Sequence, residues 1–380
     1  MMYKDFVNFV REVYQSGDFI PLHGPVFAGN EKKYICDAID TTFVSSVSEY
    51  VDQFEQKLCE FTGAGYAISV VNGTAAIHLA LHSLGVGASD EVITQPLTFV
   101  ATCNAIVYTG AQPIFVDVDW DTMGLSPDRL ESFLESHGQI KAGVTFNRIT
   151  GKRIAACLPM HTFGHPVRIH EIVKICEKWN IPVVEDAAES IGSTCLNQHC
   201  GTFTTIGVMS FNGNKIITTG GGGALLTDDG ELAGKLKFLS TTAKNPHVWK
   251  YRHDELGFNY RMPGLNAALG CAQMEQLSDK IQDKRQIAKA YGNFFASQSY
   301  DFVHEREDCY ANYWLNTLIM PNEEDKDAFL EYTNKQGIMT RPAWDPMHFH
   351  DRFSSNPGVD LGVSEDLYRR AVNIPSSSRV

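Results

Sequence analysis

Between residues 51 and 240 the chain switches repeatedly between two hydrophobic periods, and this alternation restricts its fold more than any other feature. VDQFEQKLCEF (51–61) puts Val51, Phe54, Leu58 and Phe61 on one helical face; Ser46 and Glu49 have capping-box spacing before it, and Gly63 and Gly65 stop it. YAISVV (66–71) reads as a buried strand and AAIHLALHSL (75–84) as a helix ended by Gly85. Strand and helix patterns continue with EVITQ (91–95), TFVATCNAIVYT (98–109), PIFVDV (113–118), DRLESFLESH (128–137), IAACLPM (154–160), IHEIVKICEKW (169–179) and IPVVED (181–186). Such spacing specifies βαβ units, hence a mainly parallel central sheet with helices on both faces. Beyond 260 a long helical stretch and less regular strands predict a smaller C-terminal α/β domain, so the chain divides into 1–250 and 251–380.

Composition narrows the function. With 380 residues and 43 % hydrophobic content the chain can bury a large core without disulfide or zinc staples. A net charge of −13 argues against sequence-independent nucleic-acid binding, which needs clustered Lys and Arg. The N-terminal MMYKDFVNFVREVYQSGDF lacks the apolar core of a signal peptide, and no apolar run approaches the ~20 residues that span a bilayer. Nine scattered cysteines, with no C-x-x-C and no accompanying His cluster, read as reduced thiols of a cytoplasmic protein and give no metal site.

In an open α/β sheet ligands bind beyond the carboxyl ends of the strands. At the first exit, Asn72-Gly73-Thr74-Ala75 combines a tight turn with a helix N-terminus, which suits a phosphate; a plain N-cap by Thr74 is the other reading. Glu185-Asp186-Ala187-Ala188-Glu189 ends the most apolar strand. Asp186 there either meets a protonated ring nitrogen, with small Ala188 letting a flat ring lie close, or begins a solvated loop. Ser210-Phe211-Asn212-Gly213-Asn214-Lys215 is followed by two threonines and four glycines; a lysine fixed there can form a Schiff base, or the segment is a flexible turn. Phe99 either stacks on an aromatic ligand or belongs to the core. Phosphate cradle, stacking aromatic, buried acid and lysine, in that order, describe a pyridoxal 5'-phosphate site. Neither G-x-G-x-x-G nor a P-loop occurs, which counts against an NAD-dependent sugar oxidoreductase.

The blocks PVFAGNEKKYICDAID (25–40), NGTAAIHLALHSLGVGASDEVI (72–93), TFVATCNAI (98–106), EDAAESIG (185–192), SFNGNKIITTGGGG (210–223) and GFNYRMPGLNAALG (257–270) resemble the DegT/DnrJ/StrS type of nucleotide-sugar aminotransferases, fold-type-I enzymes. The resemblance implies that Lys215 is the Schiff-base lysine and that Asp186 holds the pyridinium nitrogen. It implies that Thr74, Ala75 and Ser210 bind the phosphate, Phe99 stacks on the ring, and Glu189 lies near the phenolic oxygen. It also implies that Asn259 reaches the phosphate of a neighbouring subunit, making a homodimer with shared sites. Glutamate would be the amino donor and a nucleotide-linked keto-sugar the acceptor. Gly221 stands where the family usually has Glu, and 143–156 forms a hairpin-like insertion; both resemble the subgroup acting on UDP- or GDP-linked 4-keto-6-deoxy-N-acetylglucosamine. His161, Arg341, Trp344 and His348 are candidates for the sugar-nucleotide pocket, core or surface roles being the alternative for each. The rival readings are a sugar dehydratase of the same fold, where the resemblance would require His in place of Lys215, and a non-catalytic cofactor-binding regulator.

Overall fold

A computed structural model describes residues 2–296, 298, 300–356 and 358–380. Seven strands form the central layer: β1 (Tyr66–Val70), β2 (Asp90–Thr94), β3 (Gln112–Phe115), β4 (Arg153–Leu158), β5 (Val184–Asp186), β6 (Ile206–Ser210) and β7 (Gly223–Thr227). Their order is β3-β2-β4-β5-β6-β7-β1; β4 and β5 meet through the isolated bridges Cys157–Val183 and Met160–Asp186. All neighbouring pairs are parallel except those of β7, which runs antiparallel to β6 and to β1. The sheet is therefore mainly parallel, as the alternation requires, with one reversed strand. β2 has β3 on one side and β4 on the other, so the chain changes winding direction there and leaves a crevice at the strand ends.

The helix Gly73–Ser83 is apolar almost all round because it is buried almost all round, from Ala75 to Leu81. Asn72 caps it: the Ala75 N–H donates to the Asn72 side chain at 2.8 Å. The helix Glu49–Thr62 is capped not by Ser46 but by Ser48, whose hydroxyl accepts from the Tyr50 N–H, so Glu49 opens the helix and cannot close a capping box; Gly63 ends it at φ 80°. The long helical stretch beyond 260 is two helices, Gly264–Met274 and Leu277–Phe295, broken at Glu275–Gln276. The hairpin lies at Gly138–Lys141 and Val144–Asn147, two short strands that meet the start of β4 at Phe146–Arg153, while 153–156 belong to β4.

A second sheet, with Asn316–Ile319 and Ala371–Ile374 at its centre, carries the smaller lobe. Its core joins Phe6, Val7 and Val10 of the N-terminal helix Met2–Tyr14 to Ile287, Tyr291 and Phe329. The N-terminal helix thus packs with the C-terminal part of the chain. No helix among the described residues is long and apolar enough to cross a membrane.

Candidate active site

The strand exits converge on a cavity of about 280 Å³ lined by Gly73, Thr74, Phe99, Thr102, Asp186, Ala188, Glu189, Ser210 and Lys215. Each residue arrives there by topology: Gly73 and Thr74 follow β1, Phe99 follows β2, Asp186 ends β5 and Ser210 ends β6.

Lys215 sits on the turn after β6, held by its own N–H donating to the Asn212 carbonyl. Its ammonium donates to Glu189 at 3.0 Å and lies 4.0 Å from the centroid of the Trp314 ring. The second oxygen of Glu189 accepts the Phe163 N–H at 3.0 Å. Burial pushes the Glu189 carboxyl up to about 7, although the neighbouring Lys215 charge pulls the other way.

Asp186 is buried, and burial raises its pKa above the usual carboxylate range. The Thr102 hydroxyl donates to it at 2.7 Å and the Ala188 N–H at 3.2 Å, so it is fixed in direction. Beneath it lies His161, fully buried, with one ring nitrogen 3.0 Å from Glu185 and the other accepting the Val167 N–H. His161 lines neither this cavity nor the next, so the expected substrate-facing position is replaced by one under the strand end.

The phosphate end tests whether the site fits the cofactor. A Cβ on Gly73 would stand 3.0 Å from the Ser210 Cβ and 3.3 Å from its hydroxyl, so glycine keeps open the gap between helix start and Ser210. A helix N-terminus with a serine hydroxyl against it is an anion cradle, and a directed, buried carboxylate lies across the same cavity. These residues fit pyridoxal phosphate. Ala75 differs from expectation: its N–H is spent on Asn72, and it does not line the cavity.

A second cavity of about 560 Å³ adjoins the first and shares Phe99, Asn214, Trp314 and Trp344 with it. Arg341 also lines it, its guanidinium donating to Asn334 and the Thr340 carbonyl. His348 lines neither cavity; its ring meets Glu365 at 3.2 Å. Asn259 is exposed and pairs through its backbone with Thr241, away from both cavities of its own chain.

Sequence reasoning missed Trp314 and Thr102. Trp314 is carried in by the smaller lobe, its indole N–H donating to the Asn214 carbonyl at 2.8 Å. Its approach depends on Gly164 (φ 93°), where a Cβ would come within 2.0 Å of the Asn312 side-chain oxygen. No local pattern around Trp314 announces this. Thr102 had a signal: it stands three residues after Phe99, on the same side of the helix start.

A lysine, a directed carboxylate and an anion cradle gathered at the strand ends of this sheet define a pyridoxal phosphate-dependent aminotransferase. The chain belongs to the DegT/DnrJ/EryC1/StrS aminotransferase family, whose model matches residues 26–380. It is 37 % identical over 368 residues to EpsN of Bacillus subtilis, named for a pyridoxal phosphate-dependent aminotransferase, covering 95 % of this chain and 92 % of that one. It is 37 % identical over 363 residues to the GDP-perosamine synthase of Escherichia coli O157:H7, covering 94 % and 93 %. Among solved structures, a DegT DnrJ EryC1 StrS aminotransferase from Brucella abortus superposes with a TM-score of 0.84 at 25 % identity, covering 91 % and 90 %.

Proposed function

We propose that this enzyme moves the amino group of glutamate onto the C4 carbonyl of a nucleotide-linked 4-keto-6-deoxy sugar. The observation that carries the reading is the junction of the two cavities at Trp314 and Trp344: chemistry-bearing Lys215 and Asp186 lie in the smaller, and the larger has room for a sugar nucleotide. Bound pyridoxal phosphate supplies an electron sink for the carbon that loses or gains a proton. Of the residues lining the smaller cavity, Gly73, Thr74 and Ser210 would hold its phosphate, Phe99 and Ala188 its ring, and Asp186 its ring nitrogen. Lys215 would hold the cofactor's aldehyde carbon, and its amine would take a proton from the donor's α-carbon and later give one to sugar C4. Glu189 accepts from the Lys215 amine and holds it at that position. Arg341 and Trp344 serve the nucleotide, with affinity drawn from local donors because the net charge of −13 opposes a diphosphate at long range.

Two nucleotides compete. Gly221 and the hairpin at 138–147 favour a 4-keto-6-deoxy-N-acetylglucosamine linked to UDP or GDP, UDP being the first choice; relatives named GDP-perosamine synthases favour a GDP-linked substrate. The site is shared between two subunits. An apolar strip at Val248, Trp249, Tyr251 and Leu256, exposed by 90, 74, 82 and 70 %, leads to Asn259 and supports a second copy covering it. Nine unpaired cysteines support a reducing, cytoplasmic setting. The test is an assay of UDP- and GDP-linked 4-keto-6-deoxy sugars with glutamate, the product's C4 read by NMR. Amination of one with release of 2-oxoglutarate supports the proposal; amination of neither, or amine at another carbon, overturns it.

A further inference from the structure

Cys195 and Cys309 face each other across the seam between the two lobes. Cys195 lies in the short hairpin Thr194–Cys195 and Gln198–His199; Cys309 lies in the strand Cys309–Tyr310, which leads into Asn312 and Trp314. The two strands are antiparallel with Cys309 opposite Cys195. The Leu196 N–H donates to the Asp308 carbonyl at 2.8 Å, and the Cys309 N–H turns back to the Arg306 carbonyl, so Cys195 and Cys309 exchange no backbone hydrogen bonds. They form the narrow kind of antiparallel pair, with Cα atoms about 4.5 Å apart. That spacing falls within the range a disulfide spans, about 4.4–6.8 Å.

The side chains agree with the backbone. The two sulfurs and a carboxylate oxygen of Asp308 all lie within 4.8 Å of one another. Asp308 is committed to Arg306, which bonds both of its oxygens, so this group is not a ready cation site. The Nη1 of Arg306 is buried without a partner among the described residues. Both thiols donate to the Asp308 carboxylate, Cys309 at 3.6 Å and Cys195 at 3.7 Å, and the contact between the two sulfurs, with Arg306 nearby, holds the Cys195 thiol below its ordinary range and the Cys309 thiol above it. Cys195 is fully buried and Cys309 half-buried, so solvent reaches one member of the pair. Cys157 and Cys176 also touch, but both are fully buried in the apolar core and burial drives the Cys157 thiol up. They serve as the internal contrast.

We infer that Cys195 and Cys309 form a reversible redox pair that closes to an inter-lobe disulfide when the enzyme meets a peroxide. Cys309 is the member of the pair that a peroxide reaches, so it is the attacking thiol, although the contact with Cys195 and burial hold it above its ordinary range. Its sulfur attacks one peroxide oxygen, the O–O bond breaks, and hydroxide leaves and is protonated to water. The Cys195 sulfur then attacks the Cys309 sulfur and displaces the second oxygen as water. The two thiols lose two electrons and two protons; hydrogen peroxide gains both and becomes two waters. A dithiol reductant reverses the change.

The bond would lie beside an existing seam. Ser193, two residues before Cys195, accepts the Asn312 N–H at 3.0 Å, and the Asn312 side chain donates to the Glu189 and Ile191 carbonyls. Closing it needs little backbone movement, so the lobes stay in their present relation and Trp314 stays over Lys215. Because the cysteines are far apart in sequence, the link removes much freedom from the unfolded chain, and the melting temperature should rise by several degrees, roughly 5 °C.

The test treats the purified holoenzyme with dilute hydrogen peroxide and follows intact mass, a peptide map and melting temperature, with Cys309→Ser and Cys195→Ala alongside. The expected result is a mass loss of two hydrogens, a Cys195–Cys309 peptide, a higher melting temperature, and reversal by dithiothreitol. Both variants should lack all four changes while keeping reduced-enzyme activity. Oxygen addition on Cys309 without a link, a link between other cysteines, or the same melting shift in Cys309→Ser would overturn the inference. If Cys195→Ala fails to fold, Cys309→Ser decides alone, since its position is half-buried.

Discussion

Lys215 and Glu189 meet at 3.0 Å at the floor of the smaller cavity, with the Trp314 ring over the same ammonium at 4.0 Å. An amine held by an acid on one side and an aromatic face on another has a fixed position, which suits the role proposed for Lys215 as anchor and then base. Lys215→Ala should therefore abolish transamination, by ~10²–10⁴-fold at least. Cofactor should still be retained through Gly73, Ser210 and Asp186, seen as visible absorbance that dialyses away slowly. Borohydride treatment of the native enzyme followed by digestion should label Lys215; a reduced pyridoxyl group on another lysine sinks the assignment.

Asp186 takes hydrogen bonds from Thr102 and Ala188 while buried, so removing either charge or donor has a separable effect. Asp186→Asn keeps the shape and loses the charge; turnover should fall far more than cofactor affinity. Thr102→Val keeps the charge and removes one donor, worth about 1.5–3 kcal/mol for a charged acceptor, so kcat should drop roughly tenfold or more. Single-turnover rates with glutamate measure both. Near-native turnover in the Asn variant would move the role elsewhere.

What the sequence disclosed about the site follows from how local each part is. Gly73, Asp186, Ser210 and Lys215 each stand in a strand-exit motif, where the turn and the chemistry share a few residues, and the structure brings these four into one cavity. His161 also follows a strand, yet it is buried against Glu185 and lines neither cavity, and no spacing rule reports side-chain direction. Trp314 was invisible because its place depends on Gly164 admitting Asn312 from a distant part of the chain. The reversed strand β7 was equally hidden, since a fully buried strand has the same apolar pattern in either direction.

Asn259 lines neither cavity in its own chain and sits exposed beyond the apolar strip 248–256. If it completes a neighbour's phosphate site, Lys215→Ala subunits mixed with Asn259→Ala subunits should form hybrids in which one site carries both lesions and the other none. Activity should return toward half the native value per mixed dimer. No recovery after demonstrated subunit exchange, or a monomer in sedimentation, removes the shared site.

Acid stability should depend on His165 and His199, two rings buried outside the cavities. The Gly192 N–H donates to one nitrogen of His199, which must then be an acceptor, and the Nε2 of His165 is buried without a partner among the described residues. Burial lowers both to about 4 from the ordinary 6.5. The unfolded chain therefore takes up a proton at each ring as pH falls through 6.5, while the folded chain takes none until about 4. Stability contributed by the neutral rings is intact above pH 6.5, is lost progressively between 6.5 and 4, and changes no further below that. A shift of this size is worth up to ~3 kcal/mol per ring. Glu189 acts with the opposite sign: raised to about 7, it keeps a proton in the fold that the unfolded chain has released, so its contribution grows as pH falls from 7 toward 4.5. The total slope mixes both effects, and a difference between proteins isolates one. His165→Phe keeps an aromatic ring against Tyr313, which the histidine meets edge-on at 5.1 Å, and removes the titration. Urea midpoints measured from pH 8 to 4.5 should converge with, then favour, the Phe variant as the medium is acidified. Parallel curves for the two proteins across that range would show that His165 carries none of the acid sensitivity.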